Sequence, residues 1–217
     1  MTTGITGITA LTVSYNTPDL LERVLSGFRK FYDIPYWIVD GSDEENFKKI
    51  KKFANKYDVK IIHFDHNIHH GPGIAYGFQN IETDQILLLD SDLIIYNKGF
   101  VEDFKSKLRP ESYGIGAVYP GDYKDNDTEW TRYLHPACAL INRKIVIQYP
   151  MPSFYQSPMM APMRYMQDRG INILQDERWV HDDYSGLPNE NDPVCNEIHY
   201  VKHHWHGTLD RFGRGGV

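Results

Sequence analysis

The sequence predicts an α/β fold, a mostly parallel, mixed central sheet flanked by helices, and three observations carry that expectation. Short apolar runs alternate with segments of helical periodicity through the first half of the chain. One run, Gln85-Ile-Leu-Leu-Leu89, is continuous in the manner of a strand covered on both faces. The polar clusters fall where the apolar runs end, which in a parallel sheet is the edge that binds ligands.

The first run, Ile8 to Val13, is rich in β-branched residues and stops at Ser14-Tyr15-Asn16-Thr17-Pro18. Thr17 suits a helix cap with Pro18 in the first turn, and Leu20, Leu21, Val24, Leu25 and Phe28 then recur at helical spacing. Tyr36 to Val39 reads as a short strand ending at Asp40-Gly41-Ser42, and Glu44 to Tyr57 as a helix with a charged outer face. Val59 to Phe64 is a third strand. The segment Asp65 to Gly77 holds Asn67, Gly71, Pro72 and Gly73, so its first half is expected to be a loop that brings backbone close to a ligand, with a helix from Ile74 to Asn80. The strand Gln85 to Leu89 runs straight into Asp90-Ser91-Asp92. The second half is less regular. Strands are expected at Tyr113 to Tyr119, Tyr133 to Ile141, Ile171 to Leu174 and Ile198 to His206, with a helix at Ala161 to Gln167 ended by Gly170.

With 217 residues, 41% hydrophobic and 13% aromatic, the chain can bury a substantial core, and one domain over residues 1–217 is expected. A formal net charge of -6 argues against a protein whose main task is gripping nucleic-acid phosphates. Cys138 and Cys195 read as reduced thiols rather than a disulfide framework, which points to a reducing, cytoplasmic compartment. The start, MTTGITGITALTVSYN, lacks the pattern of a signal peptide, and no stretch approaches the roughly 20 apolar residues of a membrane span. A soluble protein is expected, with peripheral membrane association left open.

Two carboxylates separated by the small Ser91, at the end of a buried strand, suit magnesium or manganese bound to a diphosphate. The same tripeptide also serves as a strand cap or turn; its place late in an alternating pattern favours the metal. Lys202 to Gly207 is dense in imidazole. If it is extended, His204 and His206 share one face, while His203 and Trp205 share the other. Trp130, Tyr133, His135, Phe154 and Tyr155 suit either a stacking platform for a sugar or a core.

Four ordered segments, YNTPDLLERVL, WIVDGSDEE, NIHHGPGIAYGFQ and ILLLDSD, resemble the nucleotide-binding half of family 2 and related GT-A glycosyltransferases. The resemblance implies a GT-A, Rossmann-like domain in which residues 1–95 hold a nucleotide sugar and residues 96–217 hold the acceptor and a late metal-ligand segment. It implies Tyr15, Asn16 and Asp40 for the base and ribose, and Asn67, Gly71 and Gly73 as lining of the nucleotide-sugar site. It assigns the metal to Asp92 directly, with Asp90 nearer the ribose or the metal. HWHGTLDRFGR resembles the late His-Gly segment of some members, implying His206 first and His204 second as a further metal ligand. Arg211 would pair with the diphosphate, since guanidinium suits a bidentate phosphate contact. His69 and His70 are weaker candidates for substrate contact.

MRYMQDRGINILQDERWVHDD resembles the family's late helix-strand unit, with His181 after the strand. Here the chain departs from the pattern, because the acidic pair that inverting members carry ahead of that helix is replaced by Ser157-Pro158-Met159-Met160. An inverting displacement still needs a base for the acceptor hydroxyl, which makes Asp182 and Asp183 the candidates. A solvated acidic turn and a retaining mechanism are the competing readings. The implied activity is divalent-metal-dependent transfer of a sugar, from a UDP-sugar by preference, to a glycan, protein, lipid or modified base. A sugar-phosphate nucleotidyltransferase would want a glycine-rich, basic signature near the first strand, which Ser14-Tyr15-Asn16 lacks. A non-catalytic nucleotide- or carbohydrate-binding module is the third reading, given the absent acidic pair.

Overall fold

The structure, a computed structural model, describes residues 5–119, 131–153, 157–177, 180–182 and 200–203, the side chains of residues 180–182 and 202 excepted. The first half alternates strictly: β1 (Ile8–Ser14), α1 (Pro18–Arg29), β2 (Tyr36–Asp40), α2 (Glu44–Lys56), β3 (Lys60–His63), α3 (His70–Asn80) and β4 (Gln85–Leu89). There follow β5 (Leu93–Ile95), α4 (Phe100–Lys107), β6 (Gly114–Tyr119), β7 (Tyr133–Asn142), α5 (Arg143–Val146), α6 (Met160–Gln167), β8 (Leu174–Asp176), β9 (Val180–Asp182) and β10 (Val201–His203).

Seven strands form one sheet in the order β3-β2-β1-β4-β7-β6-β8, and β5-β10-β9 form a small second sheet. Strands β3, β2, β1 and β4 run parallel, β7 is antiparallel to both β4 and β6, and β8 is parallel to β6. The expected mixed, mostly parallel sheet is therefore present, with the GT-A plan of helices on both faces. Strand order reverses between β1 and β4, because the chain moves from β1 outward to β3 and then returns to the other side of β1. Such a switch point opens a crevice at the carboxyl ends of the strands.

Periodicity explains the helices. Leu21, Val24, Leu25 and Phe28 of α1 and Ile50 and Phe53 of α2 bury against one face of the sheet. Ile74 and Phe78 of α3, with Met159, Met163 and Met166 around α6, bury against the other. Each such side chain contributes about 1.5–3 kcal/mol relative to exposure. Asp43 caps α2 by accepting from Asn46 N at 2.9 Å. Thr17 precedes α1 as expected but does not cap it, since its buried hydroxyl makes no hydrogen bond. Pro18 at the first helical position and Asp19 in the first turn supply the start instead.

Two elements depart from the sequence reading in ways that matter for the site. The expected loop before Ile74 is shorter, because α3 begins at His70 and takes Gly71, Pro72 and Gly73 into its first turn. The reason is close packing. A Cβ on Gly73 would lie 2.6 Å from Val13 Cγ1, and one on Gly77 2.2 Å from Leu11 Cδ2, so the bare faces of α3 sit directly on β1. The late strand expected at Ile171 to Leu174 starts only at Leu174, and β5, where no strand is expected from the sequence, exists through pairing with β10.

Candidate active site

The carboxyl ends of the parallel strands are knitted together by backbone hydrogen bonds: Gly41 N donates to Ser14 O at 3.0 Å and Phe64 N to Asp40 O at 2.8 Å. Beneath them, Thr12 Oγ1 donates to Leu89 O at 2.7 Å. Its only proton is then used, so the Tyr36 hydroxyl is the donor in the 2.6 Å contact with Thr12. The buried chain Tyr36–Thr12–Leu89 fixes β1, β2 and β4 relative to one another, one residue short of Asp90.

Asp90 N donates to Ala137 O of β7 at 2.8 Å, and Leu93 N donates back to Asp90 O at 3.3 Å, so the Asp-Ser-Asp segment is a tight link between β4 and β5. Because β5 pairs antiparallel with β10, with Leu93 opposite His203, that link faces an imidazole from far along the chain. His203 Nε2 lies 3.2 Å from Asp92 Oδ1 and 3.6 Å from Asp90 Oδ2. One donor atom from each of Asp90, Asp92 and His203 falls within 4.8 Å of the others. Asp92 and His203 are buried. On the other side, His70 Nε2 at the start of α3 lies 3.2 Å from Asp90 Oδ1. The ring of His135, on β7, stands 5.5 Å from that of His203, and Ala137 N donates to His135 Nδ1 at 3.2 Å.

Burial and these imidazoles act on the Asp90 carboxyl in opposite directions. Burial alone would raise its carboxyl, but His70, His203 and His135 outweigh burial and hold it down at about 2. Two carboxylates converge with an imidazole nitrogen beside them. Oxygen and imidazole ligands at this separation fit one divalent cation.

The base-side residues lie along the same edge. Asn16, in the left-handed region at φ 53, accepts at Oδ1 from Asp43 N at 2.9 Å and Asn46 Nδ2 at 3.3 Å, while its backbone N–H donates to Ser42 Oγ at 2.8 Å. Ser42 Oγ in turn donates to Asp40 Oδ1 at 2.6 Å. Asp40 itself is 0% exposed. Asn67 Oδ1 accepts from His69 N at 2.9 Å, which braces the positive φ of 63 at His69.

Of the residues singled out from the sequence, Tyr15, Asn16, Asp40, Asn67, Gly71, Gly73, Asp90 and Asp92 all sit at the carboxyl ends of β1 to β4 or in the segments that follow them. The structure gives two of them a packing role. Asp40 engages protein groups with both oxygens, and the missing side chain of Gly73 is demanded by Val13. The backbone of Asp182 is the register partner of His203 in the β9–β10 pair, which puts it one strand spacing from that histidine, on the side of β10 away from β5. Asp183, His204, His206 and Arg211 lie outside the described residues. His203, placed by the sequence reading on the face away from the metal, is the histidine that the described structure sets against both aspartates. Tyr133, a candidate for stacking on sugar, is 1% exposed and belongs to the core, its hydroxyl accepting from Met159 N. Cys138 is a buried free thiol.

A Rossmann-like sheet with α3 packed on β1, a switch point beside β4, and two carboxylates plus imidazole at that point follow the plan of the GT-A fold. The chain belongs to glycosyl transferase family 2, whose family model matches residues 9–170. No curated protein sequence matches it. Among solved structures it resembles the mannosyltransferase PcManGT from Pyrobaculum calidifontis in complex with GDP-Man and Mn2+, at TM-score 0.58 and 13% identity, covering 79% of this chain and 54% of that one. It also resembles glucosyl-3-phosphoglycerate synthase from Mycobacterium tuberculosis in complex with UDP, at TM-score 0.61 and 12% identity, covering 83% of this chain and 73% of that one. A third is residues 1–349 of TarS from S. aureus, at TM-score 0.53 and 15% identity, covering 72% of this chain and 54% of that one. At such identities the likeness is one of fold, and the chain spans little more than half the length of the first and third of these chains. Among the described residues, no helix is long and apolar enough to cross a membrane.

Proposed function

We propose that this chain, acting as one domain, transfers a sugar from a nucleotide diphosphate sugar, UDP-linked by preference, with a divalent ion held at Asp90, Asp92 and His203. The observation that carries the reading is the convergence of those three donors at the strand-order reversal, on a protein of this family. Two solved proteins of the same fold bind GDP-Man with Mn2+ and UDP, which supports a nucleotide-sugar donor and manganese or magnesium here. An ion in this place supplies positive charge to the departing diphosphate.

The chain's own groups do the rest. Asn16 and Tyr15 meet the nucleoside, with Asn67 and Gly71 closing over it from the β3–α3 segment and Gly73 letting α3 approach. His70 holds Asp90 in position from the side opposite His203. Arg211 pairs with the diphosphate, and His206 adds a further nitrogen donor to the ion. Asp182 or Asp183 removes the proton of the acceptor hydroxyl, which fits an inverting displacement, and the adjacency of Asp182 to His203 favours that assignment. Cys138 as a free thiol accords with a reducing compartment.

The test is release of nucleotide from UDP-sugars, with and without Mn2+, in the native protein and in Asp92→Ala. The reading expects metal-dependent release that falls by about 100-fold or more in the variant, the scale of losing a main electrostatic contact to the leaving group. Release that ignores both metal and substitution would overturn it.

A further inference from the structure

We infer that His63, at the end of β3, reads the hydrogen-bonding edge of the donor's nucleobase through its Nε2, with buried Asp40 setting its tautomer; this rests on the donor-binding reading above. Asp40 is surrounded by donors. Ser42 Oγ gives to Oδ1 at 2.6 Å, and Ser42 N at 3.3 Å and His63 Nδ1 at 2.9 Å give to Oδ2. At 0% exposure, with both oxygens engaged, this carboxylate has no free edge for a ligand and acts through what it holds. A carboxylate only accepts, so Nδ1 is the donor in this contact, and the tautomer it selects carries the lone pair on Nε2.

The ring of Phe47 stacks on that of His63 at 3.7 Å and 10°, covering one face. Nδ1 is turned inward to Asp40. Phe47 and Asp40 leave the other face and the Nε2 edge of the ring uncovered by either, and 24% of the side chain reaches solvent. The order β3-β2-β1-β4 puts three strand spacings, on the order of 14 Å, between the ends of β3 and β4. An extended nucleoside diphosphate spans a similar length. With its diphosphate at Asp90 and Asp92 and its ribose over Asn16 at the end of β1, its base arrives over β2 and β3.

A fixed acceptor selects a donor. Uracil at N3 and guanine at N1 present a ring N–H in the middle of that edge, whereas cytosine at N3 and adenine at N1 present a lone pair there, which meets the lone pair of Nε2. Sites built around a specific hydrogen bond reject analogues that cannot make it far more strongly than apolar pockets reject a change of size. His63 is thus a specificity-determining residue for nucleobases with a ring N–H, and Asp40 a positioning residue for His63.

The experiment measures binding of UDP, GDP, CDP and ADP by calorimetry in the presence of Mn2+, to the native protein, H63N and H63Q. In H63N the amide N–H still reaches Asp40, so the brace survives and only the acceptor is lost. In H63Q the amide oxygen replaces Nε2. The native protein is expected to bind UDP or GDP at least about tenfold tighter than CDP and ADP, a margin that one hydrogen bond supplies. H63N, folded by its unchanged melting temperature, is expected to bring the four within about threefold of one another, while H63Q keeps the order. An unchanged ranking in H63N, or a ranking lost in H63Q as well, shows a brace alone and overturns the inference. So does a native protein that binds all four equally, which leaves the donor-binding reading intact. Failure of every nucleotide to bind the native protein with Mn2+ overturns both.

Discussion

Replacing His203 by alanine separates a metal site from a mere ion-pair network. In the native protein its Nε2 stands 3.2 Å from Asp92 and 3.6 Å from Asp90, and one donor atom of each of the three lies within 4.8 Å of the others. An ion that binds only the folded state stabilises it by about 2.7 kcal/mol at 100 times its dissociation constant. For a chain of this size that raises the melting temperature by roughly 5–10 °C. Removing this donor is expected to weaken the ion about 100-fold, so the same Mn2+ concentration then equals the dissociation constant and yields only about 0.4 kcal/mol, or roughly 1–2 °C. The assay is a thermal unfolding series in EDTA and in rising Mn2+, for the native protein and the variant. In EDTA the variant is also expected to melt below the native protein, because two carboxylates then face each other with less compensation. A variant that keeps the full Mn2+ shift would refute His203 as a ligand and with it the assignment of this cluster as the metal site.

Gly41→Ala places a Cβ 2.6 Å from His66 O and 3.0 Å from Ile68 N, both backbone, so the β2–α2 turn and the β3–α3 segment must separate. A loss of about 1–3 kcal/mol is expected, with weaker nucleotide binding, read by chemical denaturation and calorimetry. Cys138 is fully buried beside Asp90, and burial, then the neighbouring carboxylate, push its thiol well above the ordinary range. Its peptide should therefore resist iodoacetamide in the native protein up to pH 9 and become labelled once denaturant is added, as followed by mass spectrometry; rapid native labelling would contradict the burial.

Much of the fold is legible from the chain because its signals are local. The apolar run Gln85 to Leu89 and the 3.6-residue spacing of Leu21, Val24, Leu25 and Phe28 each report burial that the element's own geometry demands. The start of α3 is less legible. Gly71, Pro72 and Gly73 look like loop residues, yet they occupy a helical turn because β1 lies so close that side chains at Gly73 and Gly77 would collide with it. No local propensity encodes that proximity.

The site divides in the same way. Sequence by itself determined the carboxylates at Asp90 and Asp92 and the polar ends at Asn16 and Asp40, because each follows directly on a buried strand and a parallel sheet gathers such ends on one edge. Only the tertiary structure set His203 against the aspartates. Among the described residues, the antiparallel pairing of β10 with β5 brings it there. Likewise only the parallel register of β2 and β3 sets His63 against Asp40, so that this carboxylate engages an imidazole 23 positions away. Register is a property of pairs of strands, and each of these pairs joins segments whose own sequences carry no mark of the other.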